Sequence, residues 1–205
     1  MRKRHGILAA TLLLALGISA ASAAPITFTS TLSGASESPP VVSPATGQTT
    51  VIIDPTAHTL RVITNFTGLI GSTTASHLHC CNVDPTKNSG VATTTPSFVG
   101  FPLGVQSGSM DQTYDTLLAS SYNPAFVAAN GGTPASAEAV LFSGILGGAT
   151  YINVHTTTSP GGEIRGTLLS APLGTGIPAL SQWLLGALAL VLAGVGFWMM
   201  RRRRT

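Results

Sequence analysis

Residues 24 to about 170 show little helical spacing of apolar side chains and are rich in Thr, Val, Ile, Gly and Pro. Turn formers such as Asp54-Pro55 and Asp84-Pro85 divide this region into short runs of β-forming residues, as is typical of strands. The candidate strands are residues 26–32, 47–53, 59–66, 76–80, 107–114, 150–156 and 163–169. Many short strands with such punctuation predict an all-β fold, mainly an antiparallel sandwich or Greek-key barrel.

Two segments of this region depart from the strand pattern. Residues 136–146 place apolar side chains at helical spacing and predict one short helix. Residues 82–102 carry few long apolar runs and are expected to form a long surface loop. By length, residues 24–170 make a single domain, and the small residues 171–176 form a linker to the C-terminal segment.

The end of the chain carries its most apolar segment. Residues 183–200 form a run of 18 residues without a charge, followed directly by Arg201, Arg202, Arg203 and Arg204. As a helix this run would be about 27 Å long, enough for the hydrocarbon of a thin bilayer. Because arginines favour the cytoplasmic side, the predicted transmembrane helix would leave the preceding domain outside the cytoplasm.

A short motif precedes that run within residues 177–183. It reads Ile177-Pro178-Ala179-Leu180-Ser181. Together with the helix and the arginine cluster, it resembles the IPTL/PEP-CTERM class of bacterial protein-sorting tails, over residues 177–205. The resemblance implies recognition by an exosortase-type membrane protease and delivery of the cleaved protein to the cell surface or extracellular matrix. Ala179 stands where Thr is usual and Gln182 where Glu is usual. A plain C-terminal membrane anchor is the alternative.

The start of the chain has the organisation of a secretory signal peptide. Residues 1–5 are basic, residues 6–18 are apolar but too short for a stable anchor, and Ala21-Ser22-Ala23 is a small-x-small cleavage site. Cleavage after Ala23 predicts a signal peptide over residues 1–23. The chain is therefore expected to cross the inner membrane, to stand in the periplasm on its C-terminal anchor, and to reach the surface after processing.

Charge is divided unevenly between the targeting segments and the domain. Seven of the ten basic residues lie in the two ends of the chain, so the domain has three basic and seven acidic side chains and a net charge of −4. Nucleic-acid binding depends on a basic surface that neutralises phosphates. The sequence thus predicts that nucleic acid is not a partner.

Two motifs carry a further resemblance. The first is Ala75-Ser76-His77-Leu78-His79, and the second runs from Tyr151-Ile152-Asn153-Val154-His155-Thr156 to Pro160-Gly161-Gly162-Glu163-Ile164-Arg165-Gly166. In this order they resemble a CHRD domain, the module named after chordin, across nearly all of residues 24–170. The resemblance implies a compact, β-rich extracellular domain without a generally agreed enzymatic activity. One departure is Cys80-Cys81, where the family commonly has glycine after its second histidine.

The histidines of these motifs are candidate metal ligands. Positions i and i+2 of a strand point to one face, so His77 and His79 project together, and Asn153 and His155 do so on their own strand. If the strands are near neighbours, three neutral imidazoles could hold Cu²⁺ or Zn²⁺, with water or Glu163 in an open position. The alternative is structural: each ring would donate a hydrogen bond to a backbone carbonyl.

Cys80 and Cys81 are the only cysteines, and both are destined for an oxidising compartment. A disulfide between neighbours is the first alternative. The second is that one of them joins His77 and His79 in a mixed nitrogen and sulfur site that suits copper. An intermolecular link is the third, and free thiols complete the alternatives.

Two further polar features have simple expectations. Glu163 and Arg165 share one face of a predicted strand and could pair with each other or across strands, and an ion pair that fixes the sheet register is expected. The turn Pro160-Gly161-Gly162 requires only the positive φ that glycine supplies. His58 lies in a predicted turn and is expected to be solvated.

The sequence lacks the nucleophile elbow, the zinc-protease motif, the Walker loop and the dinucleotide-binding fingerprint. It therefore predicts a secreted, non-catalytic structural or interaction module, sorted by an exosortase-type system to the cell surface or matrix. The expected partner there is an exopolysaccharide or a matrix protein. The alternative function is copper or zinc binding at the surface or in the periplasm, through His77, His79 and His155.

Overall fold

The computed structural model describes residues 24–84, 87–171, 192, 194 and 199–202. The predicted signal peptide with Ala21 and Ala23, most of the linker, and most of the sorting tail lie outside the described residues. Residues 199–202, which include Arg201 and Arg202, are helical. Within the part of the chain that the structure describes, no helix is long and apolar enough to cross a membrane.

Eight strands account for most of the regular structure. They are β1 (Ile26–Ser33), β2 (Thr46–Asp54), β3 (Thr59–Thr67), β4 (Thr73–Cys80), β5 (Gly108–Asp115), β6 (Thr150–Thr156), β7 (Ile164–Thr167) and β8 (Leu169–Ser170). Each of the seven predicted strands is present within a few residues of its expected bounds. The last of them is divided, because Leu168 turns into the core between β7 and β8. The all-β class is confirmed.

The strands form one sheet with the order β4-β6-β7-β1-β2-β3-β5, and β8 pairs with β1. Every strand pair is antiparallel. The sheet is a half-barrel, and one of its faces holds the core. The order places β4, β6 and β7 side by side at one end, although β4 is far from the other two in sequence.

Alternating residues of the strands fill the core. Its fully buried members include Phe28, Leu32, Val51, Ile53, Leu60, Val62, Leu78, Ile152, Val154 and Ile164. Burying each such side chain stabilises the fold by about 1.5–3 kcal/mol relative to leaving it in water. On β1, Thr29 and Thr31 alternate with the buried residues and point to the opposite face.

Two helices cover the open side of the core. Helix α2 (Pro134–Leu146) corresponds to the predicted helix and begins with a capping box between Thr133 and Ser136. Helix α1 (Pro124–Ala129) was not predicted, because six residues are too few to establish a helical period. Its only sequence signal is Asn123 as N-cap followed by proline at the first helical position.

The segment expected to be a long surface loop, residues 82–102, is largely irregular but not confined to the surface. It runs along the outer edge of β4, where Cys80, Leu78 and Ser76 exchange backbone hydrogen bonds with Gly90, Ala92 and Phe98. Ala92, Phe98 and Phe101 are buried in the core. The edge position of β4 explains this arrangement, since its backbone groups need partners that no neighbouring strand supplies.

His58 corrects a smaller expectation. It lies between β2 and β3 with φ of 53°. Its Nδ1 is 3.0 Å from Oε1 of Glu138 on α2, and 43% of its side chain is exposed. The turn is therefore attached to α2 by this contact and is not merely solvated. No local pattern in the sequence indicates the contact, because His58 and Glu138 are far apart along the chain.

Candidate functional site

The β4–β6–β7 end of the sheet has a polar layer on the face opposite the core. On β4, Leu78 and Cys80 point into the core, so His77 and His79 point to the other face. Both histidines are nonetheless only 6–7% exposed. Loops cover this face, and the layer is enclosed between the sheet and those loops.

The strand register brings the third histidine to the same place. Across β4 and β6, Ala75 pairs with His155, His77 with Asn153, and His79 with Tyr151. Because Ala75 is small, the ring of His155 can lean towards its diagonal neighbour His77, and the two ring centroids are 5.1 Å apart. The centroid of His79 lies 5.7 Å from that of His77 and 6.0 Å from that of His155.

Each of the three rings is held by a backbone carbonyl, two from the segment 82–102 and one from the turn after β6. Nε2 of His77 is 2.6 Å from the Pro96 carbonyl oxygen, Nδ1 of His79 is 2.8 Å from that of Ser89, and Nδ1 of His155 is 2.8 Å from that of Pro160. A carbonyl oxygen only accepts hydrogen bonds, so each of these nitrogens must carry the proton. The other nitrogen of each neutral ring is then left with a lone pair.

The three remaining nitrogens are buried and face no donor. Nδ1 of His77, Nε2 of His79 and Nε2 of His155 have no hydrogen-bond partner among the described residues. One ring nitrogen from each histidine lies within 4.8 Å of the other two. The ligands of a tetrahedral zinc ion at 2.0–2.1 Å are about 3.4 Å apart, so small ring rotations would bring these nitrogens into place.

Burial keeps these rings neutral. The pKa of His77 is lowered to about 4, mainly by desolvation and also by the neighbouring His155 and His79, against the hydrogen bond to the Pro96 carbonyl. Desolvation likewise lowers the pKa of His79 and of His155, against the hydrogen bonds to Ser89 and Pro160. At neutral pH all three therefore offer lone pairs, the form in which imidazole binds a metal.

Aromatic and cationic groups support His79. The ring of Tyr151 stacks on that of His79 at 4.7 Å with an interplanar angle of 3°. The guanidinium carbon of Arg165 lies 4.6 Å from the Tyr151 ring centroid. The Tyr151 hydroxyl accepts a hydrogen bond from the backbone N–H of Ser89, whose carbonyl orients His79. The ring and the loop that holds it are thus fixed together.

A carboxylate that the sequence did not single out completes the layer. Glu37, 7% exposed, lies next to Asn153, and Nε of Arg165 is 4.0 Å from its Oε2. Burial raises the pKa of Glu37 to about 7, although Arg165 opposes the shift. Gly162, with φ of 127°, lies against both, since a Cβ there would be 2.7 Å from Asn153 Nδ2 and would overlap Glu37 Oε1. Gly161 has nothing within 4 Å of such a position.

Of the pairings open to Glu163 and Arg165 within the described part of the chain, an ion pair forms only for Arg165, and its partner is neither Glu163 nor another strand residue. Arg165 pairs with Glu37 and donates to Asn88 Oδ1 at 2.8 Å. Glu163 is completely buried and accepts hydrogen bonds from the backbone N–H groups of Ile70 and Gly71 and from the hydroxyls of Ser43 and Thr156.

Burial alone would raise the pKa of Glu163, but these hydrogen bonds lower it. Its partner Thr156 is on the core side of β6, opposite to His155. Glu163 is therefore a structural anchor, and the expectation that it could be a fourth metal ligand was wrong.

The two cysteines also lie away from the histidines. Cys80 and Cys81 are joined to each other by a disulfide, across a cis peptide bond. Cys80 points to the core side of β4, and its Sγ is 3.4 Å from the Thr150 hydroxyl oxygen. Both sulfurs pack against Gly144 of α2, where a Cβ would meet them. Strand alternation thus rules out the mixed nitrogen and sulfur site, and of the alternatives the vicinal disulfide is the one formed.

Comparison with family models agrees with this fold and these motifs. The model of the CHRD domain matches residues 28–168, which is more than half of the chain. The chain belongs to the CHRD family. The CHRD domain so defined contains all the residues of the polar layer, and a second match, the IPTL-CTERM motif, covers residues 175–204. No curated protein and no solved structure gives a significant match.

The second match includes the predicted sorting residues Ile177 to Ser181 and Arg201 to Arg204. A CHRD domain followed by this sorting motif indicates a secreted, surface-sorted protein. The predicted motif residues Asn153, Gly162 and Arg165 all belong to the polar layer of the domain. Glu37 had no signal in the sequence, because no pattern connects it with strands so far along the chain.

Proposed function

We propose that this surface-sorted CHRD domain binds one transition-metal ion through His77, His79 and His155. The observation that supports this most is the set of three unpartnered ring nitrogens, one from each histidine. They are buried and have no hydrogen-bond partner among the described residues, and one ring nitrogen of each histidine lies within 4.8 Å of the other two. A cation is the group that satisfies three converging lone pairs at once.

The structural alternative for the histidines explains only half of their geometry. As that alternative expects, every ring donates to a backbone carbonyl. A hydrogen bond of this kind uses one nitrogen, and burying the other without a partner costs about 1–3 kcal/mol per group. The same carbonyl bonds are what orients metal-bound histidines and sets their tautomer. The metal proposal accounts for both nitrogens of each ring.

The donor set favours copper or zinc. Neutral imidazole nitrogens suit these ions, whereas Mg²⁺ and Ca²⁺ prefer oxygen ligands. Three histidines on a strand pair also match the ligand number of zinc sites that keep an open position. Because the two cysteines are joined in a disulfide, neither offers a thiolate as a metal ligand.

The domain would act as a metal-binding module of the cell surface, and we assign it no reaction. An exosortase-type protease is the proposed processing partner, in keeping with the IPTL-CTERM motif. The proposed partner at the cell surface is an exopolysaccharide or a matrix protein. Nucleic acid is not proposed as a partner, because the domain has a net charge of −4 and would repel phosphates.

Elemental mass spectrometry of the exported full chain tests the proposal. Purified from the membrane fraction in mild detergent, the protein should contain close to one copper or zinc per chain. The variants H77A and H79A should lose it. H58Q is the matched control, since His58 is outside the polar layer and should leave the metal content unchanged. Metal-free wild-type protein that also fails to take up added Cu²⁺ or Zn²⁺ would overturn the proposal.

A further inference from the structure

Two more buried acceptors lie beside the three histidine nitrogens. Oδ1 of Asn153 and Oε1 of Glu37 also lack a partner among the residues that the structure describes. An oxygen of this kind is a costly group to bury, and a polar layer with several of them needs an explanation. Asn153 does influence the pKa values of Glu37 and His79 through weak hydrogen bonds, but none of the five acceptor atoms has a partner at good hydrogen-bond geometry among the described residues.

Contacts place these two oxygens next to the histidines. Asn153 is the cross-strand partner of His77, and its side chain also reaches His79, where it acts on the pKa of that ring. Glu37 Oε1 and Asn153 Nδ2 converge on Gly162, which has no side chain to separate them. Asn153 therefore connects the histidine nitrogens on one side with the carboxylate on the other.

We propose that a metal ion on the three histidines carries a water molecule as its fourth ligand, which donates its two hydrogens to Asn153 and Glu37. This inference rests on the proposed metal site. One cation satisfies three of the five acceptors, and the two hydrogens of its water satisfy the remaining two. A metal and a single water thus account for all five.

The structure favours an outer position for Glu37 over direct ligation. The histidine nitrogens form a group within 4.8 Å of one another, and the Glu37 carboxylate is not part of that group. Arg165 lies 4.0 Å from Oε2, the oxygen that does not face Gly162, and so holds the carboxylate at this distance. Glu37 and Asn153 are thus positioning residues for the bound water.

The position of the water also defines which ligands could replace it. His77 and His79 are 6–7% exposed, so little solvent-accessible space adjoins them and small ligands are favoured. A small anion in place of the water could not donate hydrogen bonds to Asn153 and Glu37, and the Glu37 carboxylate would repel it. Ligands of this site are therefore small, and the wild-type protein should bind small anions weakly.

Pulsed electron paramagnetic resonance of the Cu²⁺-loaded full chain in D₂O detects such a water directly. Wild-type protein should show one exchangeable water in the equatorial plane of copper. E37Q should keep copper at one per chain and bind azide about tenfold more tightly, since it loses a charged acceptor. E138Q is the matched control, because Glu138 is a buried glutamate outside the layer, and it should behave as wild type.

The outcomes separate the two proposals. Copper bound at one per chain without an exchangeable equatorial water would overturn the water inference and leave the metal site in place. Equal azide affinities of wild type and E37Q would also overturn it, provided that both unfold at the same temperature. A wild-type chain that binds no copper would overturn the metal site and the inference together.

Discussion

His77 and His155 lie on adjacent antiparallel strands with ring centroids 5.1 Å apart, because the residue opposite His155 is the small Ala75. A larger side chain at position 75 would separate the rings. Together with His79, this pair sets the geometry of the proposed metal site.

Metal binding should stabilise the folded protein. A ligand that binds only the native state at a free concentration 100 times its Kd adds about 2.7 kcal/mol to the free energy of unfolding. We therefore expect Zn²⁺ to raise the unfolding midpoint of the wild-type chain measured by circular dichroism. The H79A variant should show no such rise, while H58Q should respond as wild type. An equal effect on H79A would point to binding elsewhere.

The metal-free protein should lose stability between pH 6.5 and about 4. The pKa of His77 falls from 6.5 to about 4 on folding, so the unfolded chain binds more protons in that range. The contribution is complete above pH 6.5 and is lost as the pH falls, with a limiting slope of about 1.4 kcal/mol per pH unit for one proton.

Chemical denaturation at several pH values would measure this slope, and H77Q should reduce it. Glu37 acts in the opposite direction, because its pKa rises from 4.5 to about 7 and stability is lost as the pH rises through that range. E37Q should therefore steepen the loss on acidification. Identical slopes in all three proteins would contradict the assignment of these shifts.

Substitution of Gly162 should disturb the polar layer. Gly162 has φ of 127°, and a Cβ built on it would overlap Glu37 Oε1. G162A is therefore expected to lose about 1–3 kcal/mol of stability from backbone strain alone. G161A is the matched control, because nothing lies within 4 Å of its Cβ. Urea unfolding of both variants measures the difference, and equal stabilities would show that the contact at Gly162 is relaxed in solution.

The disulfide should be independent of the metal site. Cys80 points to the core side of β4 and both sulfurs pack against Gly144 of α2, away from the histidines, so the double variant C80A/C81A should retain one metal per chain. Thiol titration of the denatured wild-type protein should detect no free thiol before reduction and two afterwards. Loss of metal from a folded double variant would show that the two faces of β4 are coupled.

Processing should remove both targeting segments. We expect the mature protein to begin at Ala24 and to lack residues 183–205, as the sorting motif over 175–204 implies. Intact-mass and N-terminal analysis of the native protein would measure both ends. A mass that still includes Trp183 to Thr205 would contradict cleavage and favour a plain anchor.

Local patterns in the sequence determined the strands, helix α2 and the pairing of His77 and His79 on one face, since these depend on residues two to four positions apart. They also identified the family, because its motifs are contiguous. Helix α1 was missed because six residues give too little periodicity. The core position of Ala92 and Phe98 was missed because no local pattern shows that β4 is an edge strand.

Only the tertiary structure decided which distant residues meet. Strand order brought His155 to His77 and His79, and loop packing brought Glu37 to Asn153 and Arg165. Strand alternation, once the core side of β4 was known, removed Cys80 from the candidate site, and the hydrogen bonds that bury Glu163 on the core side removed that residue. The physical reason is that the face on which a side chain lies, and its spacing from the next one, follow from the local backbone geometry. Which strands become neighbours in the sheet depends instead on how the whole core is filled.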